Sequence, residues 1–311
     1  MSMESYEGSM TGPEFVKTSD TEEAFTALAD ETRIEIVRTL WDADDHQARF
    51  SELRDAVGVR DSGRFNYHLD ELLGQFVART ADGYELTEAG IWANGAIERG
   101  AYTMEGTLDP VELEEPCRTC GEPRTLYYEG ETVRIECESC PVKSEFTVPP
   151  SVFVDVDRNE VPDAAGRYLR SMFQHLDNGF CWYCDGRIRT HVGPAADPDE
   201  DVPESASDEL YEQLLEFPLV EYECRRCGAT SYTGIGHALL DTPAVVGFLN
   251  AHDVAVDGRE VWRFAALDTD RARILERDPF RAVVTYDAGT ASISLTVDRA
   301  CDVVGIDDSD E

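Results

Sequence analysis

The stretch that decides the fold of the N-terminal part is Arg-Phe-Asn-Tyr-His-Leu-Asp-Glu-Leu-Leu-Gly-Gln-Phe, residues 64–76. Its large apolar side chains recur at the spacing of one helical face: Phe65, Leu69, Leu72 and Phe76. Asp61 or Ser62 is in position to cap this helix at its N-terminus. The pattern predicts an amphipathic helix whose apolar side packs against a core.

The segments on either side predict the rest of a small domain. Upstream, apolar spacing predicts helices over residues 22–29 and 31–40, and a third helix that Ser51 caps and Gly58 ends. Downstream, Asp82-Gly83 joins two short strand patterns, a strong signal for a β-hairpin, and Thr87 then caps a final helix. This order of a short helix, a glycine-centred turn, a longer helix and a hairpin predicts a winged helix-turn-helix.

Three stretches carry a resemblance to ArsR-type winged-helix transcription regulators of haloarchaeal type with a C-terminal zinc-ribbon-like extension. They are Ala27-Leu-Ala-Asp-Glu-Thr-Arg-Ile-Glu-Ile-Val-Arg-Thr-Leu40, Phe65-Asn-Tyr-His-Leu-Asp-Glu-Leu72 and Gly83-Tyr-Glu-Leu-Thr-Glu-Ala-Gly90. The resemblance implies that the second stretch lies in a recognition helix and that the third ends a wing and begins a dimerisation helix. It further implies binding of double-stranded DNA by a homodimer. Metal sensing is not implied for this domain, because it has no cysteine and residues 87–104 have no histidine.

The candidate DNA contacts lie near the start of the recognition helix and on the wing: Arg60, Ser62, Gly63, Arg64, Asn66, Tyr67 and Arg79. Arg64 and Asn66 have side chains that can bind guanine and adenine edges, whereas Ser62 and helix N-terminal amides can hold phosphate. Residues 21–100 nevertheless contain 8 arginines and 17 acidic residues. A winged helix that contacts only proteins is therefore the alternative.

Eight of the nine cysteines form four Cys-x-x-Cys pairs. Because one tight turn directs two sulfurs at one ion, two such turns complete the four-thiolate shell that Zn²⁺ prefers. We expect two Zn²⁺ ions per chain, one bound by Cys117, Cys120, Cys137 and Cys140 and the other by Cys181, Cys184, Cys224 and Cys227. Cross-pairing between the quartets, redox dithiols and an iron–sulfur cluster remain alternatives. His175, His191 and His237 are expected not to be ligands, and Cys301 is expected to be a small buried side chain.

The composition limits the remaining possibilities. The net charge is −37, and only Lys17 and Lys143 among the 27 basic residues are lysine. Such a surface resembles that of halophilic proteins, in which molar salt screens self-repulsion, so acidity does not exclude DNA as a partner. No apolar run approaches the ~18 residues of a membrane span, and residues 1–20 lack a secretory pattern, which predicts a cytoplasmic protein without a membrane partner. No catalytic constellation is present, so we expect no enzyme activity.

These patterns predict an α+β fold divided into six parts. They are a flexible tail (1–20), a winged helix-turn-helix (21–104), a zinc ribbon (105–150), a second zinc-ribbon-like unit with four cysteines and an acidic insertion (151–240), a small α+β module (241–300) and an acidic tail (301–311). The predicted function is DNA-binding transcription regulation with two structural zinc sites, with an effector or protein partner possible through the C-terminal part. The alternatives are a protein-interaction adaptor of the transcription machinery and a thiol redox or metal sensor that uses one four-cysteine site.

Overall fold

The computed structural model describes residues 20–100, 102–117, 120–139, 143–196, 212, 214–254 and 271–309. The chain divides into two compact units, residues 1–103 and residues 104–311, and each has its own apolar core. The fold class is α+β, as the sequence predicts. No helix in the described part of the chain is long and apolar enough to cross a bilayer.

The N-terminal unit combines helices with a small antiparallel sheet. Its helices are α1 (Thr21–Leu28), α2 (Glu31–Asp42), α3 (Phe50–Val57), α4 (Ser62–Leu72) and α5 (Glu88–Glu98). Its strands are β1 (Gln47–Ala48), β2 (Val77–Arg79) and β3 (Tyr84–Leu86), in the sheet order β1-β3-β2. The short helix, turn, longer helix and hairpin therefore occur in the predicted order.

The apolar stripe of α4 is buried as predicted. Phe65, Leu69 and Leu72 are fully buried in one cluster with Ile36 and Leu40 of α2. Burial of this stripe fixes the rotation of α4 about its axis, so Arg64 and Tyr67 on the opposite side lie at the surface, whereas His68 beside the stripe is buried.

For helix α3, the predicted C-terminal end at Gly58 is confirmed, and the predicted N-terminal cap at Ser51 is wrong. Gly58 ends the helix with φ +78°, the left-handed conformation that glycine adopts without strain. The helix begins at Phe50, however, and not after a cap at Ser51. The Arg49 amide donates a hydrogen bond to the Glu52 carboxylate (3.1 Å), so a carboxylate satisfies the first turn and Ser51 lies inside the helix.

The C-terminal unit contains three antiparallel sheets. The first has β4 (Thr107–Glu112), β5 (Arg124–Glu129), β6 (Thr132–Cys137) and β7 (Lys143–Thr147) in sequence order. The second has β8 (Ile188–Pro194), β9 (Pro218–Cys224) and β10 (Thr230–Gly234), with β9 in the centre. The third has β11 (Ala272–Arg277), β12 (Phe280–Ala288), β13 (Ala291–Val297) and β14 (Val303–Ser309) in sequence order. The helices of this unit are α6 (Val161–Asp177), α7 (Ile235–Ala238) and α8 (Pro243–Ala251).

One apolar core joins all three sheets of the C-terminal unit. Leu126 of the first sheet, Tyr222 of the second, Leu295 of the third and Leu169 of α6 belong to the same buried cluster. The sequence predicts separate modules over 105–150, 151–240 and 241–300, whereas the structure groups these residues in one compact unit. Each sheet buries one face against its neighbours, and none has a core of its own.

Three further differences concern the segments between the predicted elements. The acidic tail predicted from residue 301 is wrong for Val303–Ser309, which pairs with β13 as strand β14. Helix α6 and strands β4 and β11 are absent from the prediction. Residues 1–19 of the predicted tail and residues 197–208 of the acidic insertion lie outside the described residues. So do residues 261–267, where apolar alternation predicts a strand, and residues 209–211 and 213 of a helix that the sequence predicts over 209–217; residues 212 and 214–216 of it are helical.

Candidate metal centres and nucleic-acid interface

The second cysteine set forms a closed cluster of four sulfurs. The Sγ atoms of Cys181, Cys184, Cys224 and Cys227 all lie within 4.8 Å of one another. Cys181 Sγ is 3.7 Å from Cys227 Sγ, and Cys184 Sγ is 3.6 Å from Cys224 Sγ. These separations exceed the ~2.05 Å of a disulfide but suit thiolates placed about 2.3 Å from a central tetrahedral ion. The donor set therefore fits a metal such as Zn²⁺.

Two turns of the second sheet bring these sulfurs together. Cys181 follows α6, and its amide donates to the Gly186 carbonyl (2.8 Å). Cys224 is the last residue of β9, and its amide donates to the Ala229 carbonyl (2.8 Å). Each bond closes a knuckle around one cysteine pair, so the antiparallel sheet holds the two knuckles face to face.

Backbone amides favour the thiolate form of Cys224. The amides of Arg226 and Cys227 point at its sulfur at 3.4 and 3.5 Å. The Cys227 amide is the largest influence on this thiol and lowers the pKa of Cys224 to about 6, whereas burial raises the pKa of Cys181 in the same cluster. Because metal ligation needs the deprotonated sulfur, these amides prepare the site for an ion.

The first cysteine set has the same design. The Sγ atoms of Cys117, Cys120 and Cys137 lie within 4.8 Å of one another, with 3.3 Å between those of Cys120 and Cys137. Gly121, at φ +80°, closes the first knuckle by donating its amide to the Cys117 carbonyl (2.7 Å). Cys137 ends β6. Cys140, the predicted fourth ligand, lies outside the described residues, so the structure brings together three of the four predicted sulfurs.

Neither cluster includes a histidine among the described residues. His175 Nε2 lies 3.2 Å from Asp185 Oδ1, and His237 Nδ1 lies 2.9 Å from Thr233 Oγ1. Burial lowers the pKa of His237 to about 4. These two histidines have protein partners of their own, and the described groups that could hold a metal ion consist of cysteines.

The N-terminal unit exposes most of the predicted DNA contacts on one side of α4 and on the hairpin. Arg60, Ser62, Gly63, Arg64, Tyr67 and Arg79 are exposed, and Tyr67 retains 57 % of its accessible surface. Arg79 donates a hydrogen bond to the Tyr84 hydroxyl (2.8 Å), and its guanidinium carbon lies 5.3 Å from the Tyr84 ring centroid. This contact fixes the arginine against the hairpin.

Acidic side chains accept hydrogen bonds from two of the polar groups that the sequence predicts to contact DNA. The Asp61 carboxylate caps α4 by accepting a hydrogen bond from the Arg64 amide (2.9 Å). The Asn66 side-chain amide donates to Asp70 at 2.6 Å, and Asn66 is half-buried. A phosphate at this helix end would meet a carboxylate, and a base could bind Asn66 only after that hydrogen bond breaks.

Comparison with known proteins identifies the C-terminal unit. A family model described as "Domain of unknown function (DUF7351)" matches residues 114–303, more than half of the chain. The chain belongs to this family. A second model, "Domain of unknown function (DUF7347)", matches residues 21–97 in the N-terminal unit. No curated protein and no solved structure matches the chain.

The DUF7351 region spans both cysteine clusters and strands of all three sheets, from β5 to β13, in agreement with their common core. Its longest described helix, α6, was missed from the sequence, although Pro162 near its start and Val161, Ala165 and Leu169 at four-residue spacing indicate one. The sequence patterns also indicate no role for the residues between the cysteines of the second cluster. Tyr183, Arg225 and Arg226 among them are exposed.

Proposed function

We propose that the protein is a DNA-binding transcription regulator whose N-terminal unit binds duplex DNA through α4. The supporting observation is the arrangement of α3, the Gly58 turn, α4 and the β2–β3 hairpin, with the apolar stripe of α4 buried and Arg64 and Tyr67 exposed. A helix presented in this way fits the major groove, and a hairpin beside it fits the flanking backbone. Arg64 has the side chain best suited to a bidentate guanine contact.

The two cysteine clusters are proposed to bind Zn²⁺ in a structural role. A four-thiolate shell leaves no open coordination position for a substrate, which is typical of structural and not catalytic zinc. The bound ion would connect the ends of β8 and β9 in one centre and join the Cys117 turn to the end of β6 in the other. In this proposal the metal stabilises the DUF7351 unit and carries out no reaction.

Homodimerisation is part of the proposal. Phe25 of α1 and Trp92 of α5 each leave 72 % of their surface exposed, which is unusual for large apolar side chains. In the family that the N-terminal sequence resembles, the corresponding last helix forms the dimer. A two-fold dimer would present two α4 helices to DNA half-sites about one helical turn apart.

A protein-interaction adaptor is the second candidate. The observations that favour it are the hydrogen bond of Asn66 to Asp70 and the acidic cap at Asp61. Both place negative charge at the surface proposed for DNA. An adaptor would use the same exposed face for a basic protein segment, and it would select no duplex sequence.

Selection of duplexes from a random pool, followed by footprinting of the enriched site, tests the proposal. Arg64→Ala should weaken binding to the selected duplex by about 1–3 kcal/mol and relax the choice of one base pair. Arg38→Ala is the matched control, because it removes the same charge from the exposed face of α2, where Arg38 lies 3.5 Å from Glu98. Enrichment of no sequence, or equal binding by both variants, would assign the surface to protein contacts.

A further inference from the structure

Three arginines lie at the two knuckles of the second cysteine cluster: Arg187 follows the turn of Cys181 and Cys184, and Arg225 and Arg226 lie within the turn of Cys224 and Cys227. Arg187 and Arg225 are joined through the backbone, since the Arg225 amide donates to the Arg187 carbonyl (2.9 Å). Arg226 packs against the neighbouring turn, because a Cβ placed on Gly186 would lie 2.7 Å from the Arg226 Cβ. All three side chains are exposed. None of them forms a salt bridge within the part of the chain that the structure describes, so their charge faces solvent.

Two exposed aromatic rings lie beside these arginines. Tyr183, between Cys181 and Cys184, retains 70 % of its surface, and Phe180 retains 49 %. Phe180 pairs with Arg187 in an antiparallel bridge, which places the two side chains on the same face. We call the set Phe180, Tyr183, Arg187, Arg225 and Arg226 the second-knuckle surface.

Neighbouring side chains either anchor this surface or pair with one another. Trp182 packs edge-on against Tyr168 and His175, both at 5.6 Å between ring centroids, so the knuckle is held while the adjacent Tyr183 faces outward. Two acidic groups close to this surface in the sequence, Asp185 and Glu223, have partners of their own. Asp185 lies 3.2 Å from His175, and Glu223 lies 3.4 Å from Arg189.

Compensation of the metal centre does not account for the arginines. A zinc ion with four thiolates has a net charge of about −2, which nearby guanidiniums would offset. The first centre needs the same compensation, yet the corresponding knuckle after Cys137 carries Glu138 and Ser139, both exposed. The pair Arg225 and Arg226 therefore distinguishes the second cluster at this turn, whereas Arg118 in the turn of Cys117 and Cys120 in the first cluster lies outside the described residues. The pair stands out on a chain with a net charge of −37.

We propose that the second-knuckle surface binds a single strand of nucleic acid. Arg187, Arg225 and Arg226 contact successive phosphates, since the guanidinium fork matches phosphate oxygens. Tyr183 stacks on an unpaired base, a contact that every base can make and that persists when salt screens the phosphates. An acidic protein segment would use the arginines but would gain little from an exposed tyrosine ring. This activity goes beyond the duplex binding proposed for α4 and uses none of its residues.

The test measures binding of the zinc-loaded full chain to fluorescein-labelled oligo(dT), oligo(U) and a duplex of the same length. Tyr183→Ala should weaken binding to a single strand by about 5- to 150-fold, whereas Tyr183→Phe should retain it. The two homopolymers distinguish DNA from RNA as the strand. Zinc stoichiometry and circular dichroism verify that each variant is folded. Because Tyr183 is exposed, its substitution should not disturb the fold, so this comparison remains possible even if an arginine variant is unstable.

The arginines are tested by the salt dependence. Arg225→Ala combined with Arg226→Ala should reduce the log–log salt slope by about 1.4, because each phosphate contact to a single strand contributes ~0.7. Arg167→Ala combined with Arg273→Ala is the control, because both of these arginines are exposed on other elements, α6 and β11. This control should leave the slope unchanged.

Two outcomes would overturn the inference. One is a failure of the wild type to bind either single strand, or equal binding by Tyr183→Ala. The other is displacement of the strand by poly-glutamate without any effect of Tyr183→Ala, which would assign the surface to acidic proteins. Arg64→Ala should leave single-strand binding intact and Tyr183→Ala should leave duplex selection intact, so each proposal can fail alone.

Discussion

The Tyr222 hydroxyl donates a hydrogen bond to the Asp177 carboxylate, which joins the last residue of α6 to the central strand of the second sheet. Tyr222 is buried, whereas Asp177 packs against it and keeps part of its side chain exposed to solvent. Burial raises the pKa of Asp177 to about 6, although the hydrogen bond from Tyr222 opposes the shift, and the nearby Asp241 raises it further. A carboxylate at a helix C-terminus also faces the negative end of the helix dipole. The ionised form of Asp177 is therefore costly in the folded protein.

This cost predicts a pH dependence. The folded pKa lies above the unfolded value of 3.8, so the stabilising contribution of Asp177 is complete below pH ~4 and is lost as the pH rises through ~6. Asp177→Asn keeps an acceptor for Tyr222 and removes the charge. Its free energy of unfolding relative to wild type should rise by about 1 kcal/mol between pH 4.5 and 7.5, roughly half of what the shift alone implies, because solvent screens a partly exposed carboxylate. Denaturant titrations at molar KCl measure this, and Asp307→Asn, at an exposed position, should show no such trend.

Zinc binding predicts a response confined to one unit. Cys120→Ser should lower the zinc content from two ions per chain to one. It should also destabilise the C-terminal unit by several kcal/mol, because structural zinc contributes on the order of 10 kcal/mol to folding. Leu126 and Ile135 of the first sheet belong to the common core, so the loss should spread beyond the ribbon. The N-terminal unit has a separate core and should keep its stability. Metal analysis and limited proteolysis measure both effects; an iron–sulfur chromophore, or free thiols without metal, would contradict the assignment.

Two glycines of α5 form a matched pair. A Cβ on Gly90 would lie 2.2 Å from the Phe76 carbonyl oxygen, whereas one on Gly95 would meet nothing within 4 Å. Gly90→Ala should therefore destabilise the N-terminal unit by about 1–3 kcal/mol through overpacking. Gly95→Ala should stabilise it by about 0.5–1 kcal/mol, because alanine favours the helix. Thermal unfolding followed by circular dichroism compares the two. Equal effects would mean that α5 does not pack against Phe76 in this way.

The acidic composition predicts an unusual salt response of duplex binding. A basic domain loses affinity steeply as salt rises because counterions are released. Here the N-terminal unit has more acidic than basic residues, so screening removes repulsion from DNA. Affinity for the selected duplex should rise or stay constant between ~0.2 M and ~2 M KCl, together with folding stability. Titration of labelled duplex, with circular dichroism at each salt concentration, measures this. A steep loss of affinity by a protein that stays folded would indicate a basic surface patch that is not evident from the overall composition.

The sequence predicts the N-terminal unit well because its signals are local. The stripe from Phe65 to Leu72, the Gly58 stop and the Thr87 cap, whose hydroxyl accepts from the Gly90 amide at 3.1 Å, each act over a few residues. Hydrogen bonds between neighbouring polar side chains are harder to predict from the sequence. The sequence does not show that Asp70 would bind Asn66, since this depends on rotamers and not on spacing.

The C-terminal unit is predicted less well, because its architecture depends on contacts between residues far apart in the sequence. Cysteine spacing identifies the knuckles, because ligand geometry is stringent, but it does not reveal how the sheets combine. Strand β14 contains Val303, Val304 and Ile306 beside Asp307 and Asp308, and the charge at its end suggested a tail. Its pairing with β13 depends on a partner strand that local pattern does not identify.

The common core of the C-terminal unit has a consequence for biosynthesis. Val111, near the start of this unit, and Val297, near its end, pack in the same cluster, and the Val192 amide donates to the Arg299 carbonyl (2.8 Å). Contacts so distant along the chain give the unit a high contact order, so its core cannot close until β13 has left the ribosome. The N-terminal unit needs only the first hundred residues or so and can fold while the rest is being translated. The cysteine turns are thus synthesised after the N-terminal unit is able to fold, and their thiols remain exposed until the last strands have been translated.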